Sequence, residues 1–214
     1  MDDNLTKQLN DFFSQYTPIT FTPGDSLITD STPSGVFYLK AGYVRQYTIN
    51  GSGNELLINI YKPSTFFPMT WTLCDIPNRH YFEALTNCQL LRASKEQFVA
   101  FLDGHPQVLR DLTRRLLVGL DATLERMEHM ASGNTYQKVI LALAIMARRF
   151  GKGQTQNVTP ALHLKQETLG SLAGTTKESL SRVLSQLKKN GLITTEDGTI
   201  TITDLDALEA ELAS

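Results

Sequence analysis

Cysteine is scarce. Cys74 and Cys88 are the only two in 214 residues, too few for a disulfide framework, and neither sits in a CxxC pair suited to structural zinc or an iron–sulfur cluster. The four histidines, His80, His105, His129 and His163, stand singly, with no HxH pair among them. A nucleophile elbow and a phosphate-cradling glycine loop are also missing. The chain therefore offers no candidate catalytic group, and neither a metal nor a cofactor is expected. No apolar run approaches the ~18 residues of a membrane span, and the acidic start MDDNLTKQLN lacks the basic and apolar regions of a signal peptide. The expectation is a cytoplasmic protein that makes no membrane contact.

What is present is an ordinary core composition, 41% hydrophobic and 20% charged, with an uneven charge distribution. Residues 1–104 hold 7 basic side chains against 10 acidic ones, whereas residues 132–191 hold 9 against 2. Residues 192–214 carry no lysine or arginine and six acidic side chains. A basic block between acidic segments suits a nucleic-acid-binding module joined to something that does not bind nucleic acid, although a solvated charged face looks the same in a count.

Turn signals at Pro23-Gly24-Asp25, Pro33-Ser34-Gly35, Ala41-Gly42 and Asn50-Gly51-Ser52-Gly53 recur about every ten residues, the spacing of a sandwich or barrel. The stretches between them, VFYLK, YVRQYTI and ELLINIY, are rich in β-branched and aromatic side chains. About eight strands fit in residues 18–95, preceded by an amphipathic helix through Leu5, Leu9, Phe12 and Phe13 and followed by another over residues 95–101. A long helix then starts at His105-Pro106, where proline is tolerated in the first turn, and runs to about Ser132. Within it Thr113, Leu117, Leu120, Leu124, Met127 and Ala131 alternate steps of four and three, as in the seam of a two-stranded coiled coil. A second face, Leu109, Leu112 and Leu116, is expected to pack on the roll. An ordinary core helix is the plainer alternative.

Asn134 with Gln137 has the form of a capping box. The helix it opens buries Val139, Ile140, Leu143, Ala147 and Phe150 and ends at Gly151. A loose segment, GQTQNVTPALHL, is expected next, then two short helices, 165–173 and 176–190, joined at Gly174-Thr175 with helix-turn-helix spacing. LITTEDGTITIT reads as a hairpin wing whose Asp197-Gly198 suits a type I′ turn, and an acidic helix closes the chain. Only the second helix of such a unit enters the major groove. Glu178 and Arg182, four apart and on one face, match cytosine N4 and guanine O6/N7, with Ser181 beside them. Thr175, Thr176, Lys177 and Lys188 stand where phosphate contacts are expected. A Glu-to-Arg pair at this spacing is also a common surface ion pair.

The stretch QETLGSLAGTTKESLSRVLSQLKKNGLI resembles the DNA-binding motif of the cyclic-AMP receptor protein/fumarate-nitrate regulator (CRP/FNR) group of bacterial transcription factors. There Glu178, Ser181 and Arg182 occupy the base-reading positions, and Lys177 stands where arginine is usual. FTPGDSLI and VFYLKAGYVRQY resemble the opening of that family's roll. The resemblance implies an α+β protein with three parts: a sensory roll at 1–104 (a double-stranded β-helix, or jelly roll, of the cyclic-nucleotide-binding type), a dimerisation helix at 105–132, and a winged helix-turn-helix at 133–214. It implies a homodimer on palindromic double-stranded DNA, with RNA polymerase as a further partner.

The likeness breaks where nucleotide-binding relatives hold the ribose with Gly-Glu and the cyclic phosphate with Arg-Ser/Thr. Here those stretches read Phe67-Pro68-Met69 and Asn78-Arg79-His80, and Gly119 and Leu120 replace the hydroxyls that meet adenine. No response to cyclic AMP is expected. Met69, Trp71, Arg79, His80 and Tyr81 are candidates for a pocket for another, unknown small effector, or for filling of the roll. Relatives with an oxygen-sensing cluster use four cysteines, and haem ligation by Cys74 or His80 lacks a second ligand in the sequence. Two other classes compete with the DNA-binding reading: a sensor acting through protein contacts, and a metal enzyme of the double-stranded β-helix type, for which the roll supplies only His80.

Overall fold

The computed structural model describes residues 3–51, 53–152, 156–160, 166–196 and 199–213, and the chain divides into two compact units, Met1–Gly119 and Leu120–Ser214. The division falls inside the long helix rather than at either of its ends.

The N-terminal unit opens with α1 (Asp3–Phe13). Six strands follow: β1 (Ile19–Phe21), β2 (Ser26–Ile28), β3 (Val36–Ala41), β4 (Val44–Ile49), β5 (Glu55–Tyr61) and β6 (Thr65–Phe67). A short helix, α2 (Met69–Cys74), separates these from β7 (Tyr81–Ala84) and β8 (Cys88–Ala93), and α3 (Lys95–Gly104) leads into α4 (Pro106–Ser132). The strands form two antiparallel four-stranded sheets, ordered β1-β8-β3-β6 and β2-β7-β4-β5. Gly42 makes the tight turn after β3: its φ is +90°, and a Cβ there would lie 2.4 Å from the Asn87 carbonyl oxygen. Only glycine meets both demands.

Alternation along β3 sends Phe37 and Leu39 into the space between the sheets and Val36 and Tyr38 to the other side. The inner cluster joins Phe37, Leu39, Phe67, Cys88 and Leu90 of one sheet to Ile28, Val44, Phe82 and Ala84 of the other. Its centre is a run of rings: Phe37–Phe67 at 6.1 Å, Phe67–Phe82 at 5.1 Å and Tyr61–Phe67 at 4.7 Å between centroids. On the outer side Val36, Tyr38, Phe66, Leu91 and Ala93 meet Leu5, Leu9 and Phe13 of α1, Phe98 and Leu102 of α3, and Val108 and Leu112 of α4. Phe13 stacks on Tyr38 at 4.7 Å, and the Tyr38 hydroxyl donates to Asn10 Oδ1 at 3.0 Å. The α4 face expected to cover the roll is therefore displaced: Val108 and Leu112 are buried, while Leu109 and Leu116 are exposed. Leu112 is buried as expected, with Val108 one turn before it on the same side; Leu109 is rotated about 100° from Val108, and Leu116 is one turn beyond Leu112.

Cys88 is buried with its Sγ 3.2 Å from the carbonyl oxygens of Tyr43 and Thr86, and burial raises its thiol pKa; Cys74 is exposed, and both thiols are free.

In the C-terminal unit Asn134 caps α5 (Thr135–Phe150) through the expected reciprocal box with Gln137. The stretch expected to be loose instead contains β9 (Gly151–Lys152) and β10 (Gln156–Pro160). Then come α6 (Gln166–Ala173), α7 (Lys177–Lys189), β11 (Ile193–Glu196), β12 (Thr199–Asp204), α8 (Leu205–Ala210) and a closing 3₁₀ turn, Glu211–Ala213. The wing is part of a four-stranded sheet, β11-β12-β10-β9, with Val158 opposite Ile202. Pairing with β12 is what makes a strand of a segment with weak local preference. The Asp197-Gly198 turn, His163 and Lys165 lie outside the described residues.

Phe67→Ala removes the ring common to three of the inner stacks. It should cost about 3 to 5 kcal/mol of stability, the usual range for a buried phenylalanine. Guanidinium unfolding followed by fluorescence of Trp71, the one tryptophan, measures this. A loss below ~1 kcal/mol would mean the neighbours close the gap.

Candidate nucleic-acid interface

Helix α7 is amphipathic by construction. Leu180, Val183 and Leu187 are buried and Leu184 is half-buried; Leu169 and Leu172 of the contacting helix α6 are also buried. Glu178, Ser181, Arg182, Ser185 and Lys189 fall on the opposite side at helical spacing and are exposed. The turn before it is tight: Gly174 has φ +62°, and the Thr175 N–H donates to the Gly170 carbonyl at 2.9 Å. Thr176 is the N-cap, its Oγ1 accepting from the Ser179 N–H at 3.3 Å. That contact uses the oxygen and leaves the hydroxyl hydrogen to donate elsewhere.

Among the described residues no ion pair joins Glu178 to Arg182. The Arg182 Nη2 donates instead to Ser179 Oγ at 3.1 Å, and Glu178 keeps its carboxylate oxygens on the exposed face. The helix thus presents an acceptor and a multi-donor side chain next to each other without mutual neutralisation. Ser179 was not among the residues singled out from the sequence, although its position three before Arg182 places the two side chains as neighbours. Lys177 and Thr176 stand exposed at the start of α7, Thr175 is half-buried, and Lys188 is exposed in the last turn.

The acidic C-terminal segment folds against α5. Arg148 is 2.7 Å from Glu209 and 3.9 Å from Glu125, and the Glu209 contact raises the guanidinium pKa further. The Tyr136 hydroxyl donates to Glu211 Oε2 at 3.0 Å. Part of the basic excess seen in the sequence is thereby offset at Arg148 on α5.

The residues proposed for an effector pocket are divided between two layers. Met69 and Trp71 of α2 pack on the helix-side cluster, with Lys95 Nζ 5.1 Å from the centre of the Trp71 ring. Tyr81 is on the outer side of the other sheet, stacked on Tyr47 at 5.4 Å. Arg79 is exposed; His80 is half-buried, and its pKa is lowered by burial and by Arg79. Asn78 ties the segment down by donating to the carbonyl oxygens of Asp30 and His80 at 3.1 and 2.7 Å. The α4 seam residues stand open: Leu117 is 60% exposed, Leu120 54%, Leu124 50% and Met127 60%, and Thr113 is exposed with its hydroxyl donating to the Leu109 carbonyl.

A two-sheet roll, a long helix with an open apolar stripe and a winged helix-turn-helix together define the class of DNA-binding transcription regulators. Residues 18–105 match the profile of the cyclic nucleotide-binding domain, and residues 137–211 match that of the Crp-like helix-turn-helix domain. The nitrogen fixation regulation protein FixK of Bradyrhizobium diazoefficiens is 23% identical over 202 residues, 92% of this chain and 82% of the relative. The cyclic AMP receptor protein of Thermus thermophilus is 25% identical over 175 residues, 81% and 77% of the two chains. In fold, a CooA variant from Carboxydothermus hydrogenoformans superposes with a TM-score of 0.81 at 20% identity, covering 99% of this chain and 97% of that one. The chain belongs to the CRP/FNR family of transcription regulators.

Proposed function

We propose that this regulator acts as a homodimer on a two-fold-related DNA site in the cytoplasm, reads bases with Glu178, Ser181 and Arg182, and does not respond to cyclic AMP. The observation that carries the reading is the outward face of α7, where Glu178 and Arg182 are exposed side by side and not paired with each other. Arg182 donates to guanine O6/N7 and Glu178 accepts from cytosine N4, the major-groove edges that these groups fit. Thr175, Thr176, Lys177 and Lys188 hold phosphates and set the register. No catalytic role is assigned to any residue.

In this reading residues 1–104 are the sensor, 105–132 the dimerisation helix and 133–214 the DNA reader. The exposed stripe Thr113, Leu117, Leu120, Leu124 and Met127 supports a second copy of α4 as its cover, since alternating steps of four and three align with a like helix. The Phe67, Phe82 and Tyr61 rings fill the space between the sheets, and no Gly-Glu pair stands ready for a ribose. Both support an effector other than a cyclic nucleotide, which Arg79, His80 and Tyr81 would approach from the surface, with Met69 and Trp71 reporting on it through α2. RNA polymerase is the protein partner expected of such a regulator.

Leu117→Glu combined with Leu124→Glu should turn a dimer into a monomer in sedimentation at micromolar concentration, because each places an unpaired charge in an apolar seam. A monomeric wild type, or a dimeric double variant, would refute the seam. Calorimetric titration with cyclic AMP or cyclic GMP should give no saturable heat, and a low-micromolar dissociation constant for either would contradict the effector reading.

DNA selected from random duplexes should contain half-sites about one helical turn, ~34 Å, apart. Arg182→Ala should cost ~1 to 3 kcal/mol on that site and flatten preference for one guanine, whereas Lys177→Ala should weaken all sequences and lower the salt slope by about 1. Equal guanine preference in wild type and Arg182→Ala would show that the bases are read elsewhere.

A further inference from the structure

Arginine is a poor reader when its guanidinium wanders: its long stem has many rotamers, and the fork must arrive in plane with the guanine edge to make two bonds. On α7 the obvious tether for Arg182 is Glu178, four residues earlier, yet a carboxylate there would take the same donors that guanine needs and would lose its own acceptor capacity for cytosine. The structure shows a different tether. Ser179 Oγ accepts from Arg182 Nη2 at 3.1 Å, and Ser179 is itself held by its backbone, whose N–H is bonded to the Thr176 cap at 3.3 Å. Ser179 is half-buried while Arg182 and Glu178 are exposed, so the serine is a fixed point and the arginine tip is oriented from it.

We infer that Ser179 is a positioning residue for base reading: its hydroxyl holds the Arg182 guanidinium by one N–H, away from Glu178, with the rest of the fork directed outward. This rests on Arg182 being the guanine reader. The guanidinium carries five N–H donors. One is spent on Ser179, two are required for guanine O6 and N7, and the Glu178 carboxylate stays available to the neighbouring base pair. A neutral acceptor suits the role better than a charged one, because it orients the arginine without cancelling the positive charge that the DNA edge meets. Serine also contributes only one oxygen and little bulk, so it does not itself compete for the groove.

The test uses the full chain and two duplexes: the site that the wild-type protein selects from a random pool, and the same site with the specified guanine replaced. Ser179→Ala should reduce the affinity ratio between the duplexes by about 3- to 10-fold, the scale of one net hydrogen bond. It should leave binding to the replaced duplex and the melting temperature unchanged. Ser179→Thr, which keeps the hydroxyl, should restore most of the ratio. If Ser179→Ala weakens both duplexes equally, the hydroxyl meets the DNA backbone and the inference fails. If Arg182→Ala erases the ratio but Ser179→Ala does not alter it, Arg182 reads without a tether; the inference fails while the base reading stands. If neither variant changes the ratio, the reading of Arg182 itself falls.

Discussion

The N-terminal unit depends on β3 being apolar on both faces. A strand with Phe37 and Leu39 on one side and Val36 and Tyr38 on the other cannot lie at the surface of a two-layer roll. It needs the second sheet against one face and helices against the other, and α1, α3 and the first turns of α4 supply that cover. The long helix is thereby anchored through Val108 and Leu112. Once those two positions face the sheet, the 3.6-residue repeat turns Leu117 nearly half a turn away from them. Leu117 is thus open because of where the helix is anchored.

The same constraint bears on the interior of the roll. The inner face of β3 brings Phe37 against Phe67, and Phe67 against Phe82 and Tyr61, so aromatic rings occupy the region between the sheets. A roll packed in this way gains stability from its interior, roughly 1.5–3 kcal/mol for each large apolar side chain fully buried. It gives up room for a buried polar ligand. At the surface of the roll, Arg79, His80 and Tyr81 lie beside a segment tied to Asp30 and Ser31 by Asn78.

Much of this architecture was legible in the sequence because it is encoded locally. Turn residues at ten-residue intervals and β-branched and aromatic runs between them point to the strands of the roll, and the Asn134 box and Gly174 mark the bounds of α5 and of the helix-turn-helix. What escaped is decided by distant partners. MTWTLC is too short to show a helical period. QNVTP carries proline and polar residues and is a strand only because β12 lies beside it. Of the α4 face expected on the roll only Leu112 is buried, and the sheet takes Val108 in place of Leu109 and Leu116. At the candidate interface, spacing placed Glu178 and Arg182 on one face but allowed Arg182 two partners, three or four residues away. The side-chain rotamer selects Ser179, and periodicity does not register rotamers.

Charge shows the difference between order along a chain and order in space. Counted in sequence, the basic block and the acidic tail are neighbours, which would blunt the field of the former. In the fold the tail returns to α5, where Glu209 pairs with Arg148 and Glu211 accepts from Tyr136. The pairing lies on the helix that packs against α7 and uses one cation, Arg148, that α7 does not carry. Lys177, Arg182, Lys188 and Lys189 remain exposed there. Exposed charges interact with a polyanion over roughly a Debye length, ~8 to 10 Å. Glu209 therefore offsets Arg148 of α5, while Glu211, through Tyr136, reaches Asn190 at the C-terminal cap of α7, where its charge adds to the field of Lys188 and Lys189.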